Sequence, residues 1–121
     1  MQPNDEGGML KDRLRQILID QARATTLITY RELADRLALT PPRTVHRVTQ
    51  ALEALMIEDV AAGRPLLAAL CVSRLQQRLP APGFFIMAEA LEIFTGDAAS
   101  REARSFHEKE LQRTLAYYRQ P

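Results

Sequence analysis

The chain has 121 residues, of which 46% are hydrophobic and 26% charged, with 16 basic against 15 acidic side chains and one cysteine. That is room for one domain with its own core and an ordinary globular composition. It excludes an internal disulfide, a strongly basic nucleic-acid-binding tail and, since no apolar run approaches about 20 residues, a membrane-spanning helix. Residues 1–8 are polar and acidic, without the basic start and apolar stretch of a signal peptide, and read as a disordered leader before a single domain over residues 9–121. A cytoplasmic location follows. One cysteine and two histidines do not build a usual structural zinc site, and no metal or cofactor is expected.

From residue 9 to about 24, Leu10, Leu14, Ile17 and Leu18 recur at helical spacing, with Lys11, Asp12, Arg15 and Gln16 on the other faces, as in an amphipathic helix. The β-branched run Thr25-Thr26-Leu27-Ile28-Thr29 stops it, with a very short strand open at Leu27-Ile28. Thr29-Tyr30-Arg31-Glu32 is a capping box, in which the Thr29 hydroxyl accepts from the Glu32 amide and the Glu32 side chain reaches back to the Thr29 amide. The helix it opens buries Leu33, Ala34 and Leu37 and ends near Leu39. Thr40 is then expected to cap a third helix, with Pro41 at its first position, running to about Val60. Val45, Val48, Leu52 and Leu55 would line its inner face, and Gly63 and Pro65 close it.

Residues 65–73 form a short apolar run. Leu70 to Val72 reads as a buried strand and the Leu-Ala portion equally as a helical turn, which periodicity does not separate. After a polar stretch and the Pro80-Ala81-Pro82-Gly83 loop, Phe84, Met87, Leu91 and Phe94 share one face of a fourth helix terminated by Thr95-Gly96. A fifth, from about 98 to 118, places Ala103, His107, Leu111, Leu115 and Tyr118 on one stripe.

A short capped helix, a tight turn of three or four residues and a longer helix make a helix-turn-helix, here residues 29–60, with Leu39-Thr40-Pro41-Pro42 at the corner in place of the usual glycine. On the second helix, Arg43, Arg47 and Gln50 fall at i, i+4 and i+7, flanked by Thr44 and His46, in the half that a recognition helix presents to DNA. Glu53, Glu58 and Asp59 come only later.

The segment Ile28-Thr29-Tyr30-Arg31-Glu32-Leu33-Ala34 resembles the Thr-Tyr-Gly-x-Leu-Ala stretch of the DNA-binding domain of the alkylguanine DNA alkyltransferases and their non-enzymatic alkyltransferase-like relatives. Pro42-Arg43-Thr44-Val45-His46-Arg47-Val48 is similar to the start of that family's recognition helix, and residues 65–72 fall where the family carries its Pro-Cys-His-Arg nucleophile segment. The resemblance spans residues 28 to about 85. It implies a winged helix-turn-helix approaching DNA through the minor groove, with Tyr30 near the phosphate of an extruded nucleotide and an arginine filling the vacated stack. Two departures stand out: the family's arginine aligns with His46, one position before Arg47, and Ala68 and Ala69 replace its proline and cysteine. Cys71 has no adjacent histidine to make it a thiolate, so a buried inert thiol is expected there.

The sequence therefore predicts a mainly α protein, with a winged helix-turn-helix core and two additional C-terminal helices over residues 84–118. It is read as a non-enzymatic DNA-binding protein with Tyr30, Thr40, Arg43, Thr44, His46, Arg47 and Gln50 as contacts. The alternative is a protein-interaction module on the same scaffold that does not bind DNA; an alkyl acceptor at Cys71 is a third reading. The C-terminal aromatics cover the core, with Phe106, Tyr117 and Tyr118 as a candidate homodimer surface.

Overall fold

A computed structural model describes residues 5–74 and 78–119. It is mainly helical, with five α-helices in the order α1 (Asp5–Arg23), α2 (Tyr30–Arg36), α3 (Thr44–Ala62), α4 (Pro82–Ala90) and α5 (Arg101–Tyr118). Strand β1 (Ile28–Thr29) precedes α2, and a 3-10 turn (Leu67–Leu70) leads into β2 (Cys71–Val72). The two strands pair in parallel, Ile28 opposite Cys71 and Thr29 opposite Val72. Among the described residues no helix is long and apolar enough to cross a membrane.

The local signals hold best where they are self-contained. The capping box is present, with Glu32 N–H donating to Thr29 Oγ1 at 3.1 Å and Thr29 N–H to Glu32 Oε1 at 2.9 Å. The Thr29 amide, aided by the Thr29 side chain, holds the Glu32 carboxyl below its usual range. Several boundaries differ from expectation. The first helix already includes residues 5–8, read from sequence as leader, because its opening turn needs no apolar residue; Met1 to Asn4 lie outside the described residues. The strand sits one residue later than expected.

The corner between α2 and α3 is longer than a three- or four-residue turn: residues 37–43 connect them. Ala38 supplies the left-handed conformation (φ 57°) that a turn glycine usually provides. Thr40 does not cap α3. Each residue before a proline is disfavoured in the α region, so the helix starts only beyond Pro41 and Pro42. Its N-cap is Arg43, in the left-handed region (φ 65°, ψ 32°) and without any side-chain cap. That shift changes the inner face. Val48, Ala51, Leu52, Leu55 and Met56 are buried, whereas Val45, in the first turn, is about half exposed.

The centre of the molecule is not a regular element. Residues 65–72 are all buried, with Leu67, Ala69, Leu70 and Cys71 fully so, and α1, α3 and α5 pack around them. A buried irregular segment must find partners for its backbone polar groups outside itself. Asp59 Oδ2 accepts from Leu67 N–H at 3.2 Å, and Glu110 Oε2 from Leu66 N–H at 2.9 Å. Thr114 Oγ1 donates to the Leu66 carbonyl at 2.8 Å, and His107 Nε2 lies 2.8 Å from the Ala69 carbonyl. These are the four buried polar side chains among the described residues, and all four are committed to this one segment.

The C-terminal helices are each shorter than expected. α4 ends at Ala90, and Glu92 (φ 64°) turns the chain back, so that Phe94 packs outside the helix against Phe85 and Phe106 at centroid distances of 5.6 and 5.0 Å. α5 is capped by Ser100, whose hydroxyl accepts from Ala103 N–H at 3.0 Å. Phe106, expected on a dimer surface, belongs to this aromatic cluster and also faces Phe84. Tyr117 remains outward, half exposed, stacked edge-on against the less exposed Tyr118.

Candidate nucleic-acid interface

The exposed ridge of α3 follows from its helical period. With Val48, Leu52 and Leu55 inward, His46, Gln50, Glu53 and Ile57 fall on the opposite side. His46 and Gln50 are exposed; Arg47 is less so and turns towards α1, where it lines a cleft of about 390 Å³ with Lys11, Gln50 and Ala54. The i, i+4, i+7 stripe expected for Arg43, Arg47 and Gln50 is therefore not formed, because Arg43 precedes the helix. Five of the seven expected contacts, Arg43, Thr44, His46, Arg47 and Gln50, nevertheless gather on the cap and first two turns of α3, with exposed Thr40 on the adjoining connection.

Tyr30 stands apart. Its hydroxyl accepts from Ala81 N–H at 2.9 Å and so ties the first residue of α2 to the start of α4. Burial raises its pKa well above the usual tyrosine value, aided by nearby Cys71 and Glu53. Glu53 has a structural neighbour of its own: a Cβ built on Gly83 would lie 3.6 Å from Glu53 Oε2. The acid-free part of the ridge ends there, one turn after Gln50.

The start of α3 is locally unfavourable in three respects. The N-cap makes no side-chain hydrogen bond, no acid occupies the first turn, and a cation sits at the positive end of the helix dipole. A non-glycine residue in the left-handed region adds a cost on the order of 1 kcal/mol. Such an end leaves amide donors and a guanidinium facing outward, a combination suited to an anion.

The acids that sequence reading assigned to the far end of the helix split in role. Glu58 receives Lys11 and Arg15 (2.7 Å) from α1, which hold its carboxyl below the usual range. Asp59 is fully buried and receives Arg15 (3.0 Å) and Arg64 (3.1 Å) besides Leu67 N–H. Cys71 is fully buried in β2; burial pushes its thiol well up, so it stays protonated at neutral pH. Arg74 and Arg78, both exposed, line a cleft with Thr29 and Glu32 and were not singled out from sequence. Among the described residues, no three His, Cys, Asp or Glu side chains converge to hold a metal ion.

His107 carries a pH dependence. Burial lowers its pKa below the usual histidine value, outweighing the Ala69 contact. The folded state thus binds its proton less readily than the unfolded chain. Its contribution to stability is complete above about pH 6.5 and is lost as pH falls through the lower folded value. Denaturant midpoints are expected to fall between pH 7 and pH 5 in the wild type and to flatten over that window in His107→Gln; equal slopes in the two proteins would contradict the assignment.

No family model, curated protein or solved structure matches this chain.

Proposed function

We propose that the chain is a non-enzymatic DNA-binding protein of helix-turn-helix type that uses the cap and first two turns of α3. The observation that carries this reading is the uncapped, acid-free start of α3, with Arg43 exposed at its tip and His46 and Gln50 along its outer ridge. A phosphate there would supply the cap that no side chain provides and neutralise Arg43. Gln50 is a residue able to read an adenine edge. The resemblance over residues 28 to about 85 to the alkyltransferase DNA-binding domain implies the same use, and the burial of Cys71 favours a non-catalytic one. Tyr30 has a smaller place in this reading than the resemblance implies, since its hydroxyl is engaged with Ala81.

Val45 and Ile57, each about half exposed on α3, favour the second reading, a protein-interaction module. The two are separated by Arg43→Gly/Gln50→Ala. Glycine is at home in the left-handed cap, so the variant is expected to stay folded within about 1 kcal/mol of the wild type. Fluorescence anisotropy with duplex DNA at low salt is expected to show at least a tenfold loss of affinity. Wild-type affinity in the variant would transfer the function to another surface.

A further inference from the structure

Where the end of α3, the α4–α5 connection and α5 meet, they leave a cleft of about 270 Å³. Its apolar lining comes from Val60, Leu66, Ile93 and Phe106. Arg64, Arg113 and Glu110 also line it, Glu110 with its carboxylate spent on Arg113 and the Leu66 amide. Each guanidinium is half committed: Arg64 donates its Nε–H to Asp59 Oδ1 at 3.1 Å, and Arg113 one terminal nitrogen to Glu110 Oε1 at 2.7 Å. The two carboxylates are themselves buried and held by the amides of Leu67 and Leu66, so they anchor the arginines without using their remaining donors.

From these features we propose that the cleft binds a small apolar carboxylic acid, with the hydrocarbon part against Ile93 and Phe106 and the carboxylate between Arg64 and Arg113. The lining is mixed, with polar groups converging beside a smaller apolar wall, and forked donors from arginine match a carboxylate. The volume limits the ligand to one ring or a short branched chain. Gly63, in the left-handed conformation that ends α3 (φ 73°), forms part of the wall, which places the site at the opposite end of that helix from Arg43. The inference does not depend on DNA binding.

The test is a titration of the full chain with phenylacetate and, in parallel, phenylacetamide, followed by amide NMR to about 20 mM, above the millimolar dissociation constant that a ligand of this size can reach. Saturable shifts are expected at Gly63, Arg64, Ile93 and Phe106, with the acid at least five times tighter than the amide. Arg113→Gln and, independently, Arg64→Gln are expected to weaken the acid severalfold and leave the amide unchanged. Equal affinity for acid and amide, shifts spread over Arg43, Arg74 and Arg78 as well, or no saturation would overturn the proposal.

Discussion

Replacing Asp59 by alanine is expected to cost about 3 kcal/mol of stability and to lower the midpoint of thermal unfolding by on the order of 10 °C. Asp59 is fully buried and accepts three hydrogen bonds, from Arg15, Arg64 and Leu67 N–H. Its removal leaves the Leu67 amide unpaired in the core, which alone costs about 1–3 kcal/mol. The two arginines lose less, because 20% and 33% of their side-chain surface already faces solvent and they can relax towards it. That places the effect towards the lower end of the range for a broken buried pair. Asp59→Asn keeps an acceptor for Leu67 and gives up the charge, so it should fall between alanine and wild type. Denaturant unfolding of the three proteins checks this; a loss below about 1 kcal/mol for alanine would show that the 65–72 segment does not need its clamp.

Glu110→Ala is expected to cost about 2 kcal/mol, and Glu110→Gln less than half of that, since the amide oxygen can still accept from Leu66 N–H. Arg113 contributes little to the difference because most of its side chain is exposed. Thr114 holds the other polar group of the same residue: its hydroxyl reaches the Leu66 carbonyl and its own helix at Glu110, both at 2.8 Å. The two side chains therefore hold the backbone of one residue on both sides, through its N–H and its carbonyl. In a double-mutant cycle with Thr114→Val, the two losses should be less than additive, because once Leu66 is freed on one side the second bond holds it less well. Strict additivity would mean that the two bonds act independently.

The parts of the fold legible in the sequence were those set by neighbours in the chain. The capping box at Thr29 needs only residues three apart, and the apolar spacing of α1 places Leu14 and Leu18 in the core as expected. The same local reading misplaces the start of α3, because Pro41 suits a helix opening while Pro42 disfavours the α region at Pro41. It also missed Asp59, Glu110 and Thr114, since a pattern of hydrophobic spacing sorts carboxylates and hydroxyls to the outside. Two of these clamps join positions 44 and 48 apart, and their purpose appears only once the 3-10 turn lies at the centre and its backbone needs partners. At the candidate interface the residue types were legible and the face was not: a three-residue delay in the helix start took Arg43 out of it and left Arg47 beside α1.

The interface claim rests on phosphate contacts made by Arg43 and the start of α3, and such contacts release counterions. The most direct measurement is the affinity of the wild-type chain for a short duplex as a function of salt concentration. One or two neutralised phosphates predict that log K falls linearly with log salt with a slope of about −1 to −2. No binding at the lowest salt, or an affinity that does not change with salt, would contradict the account.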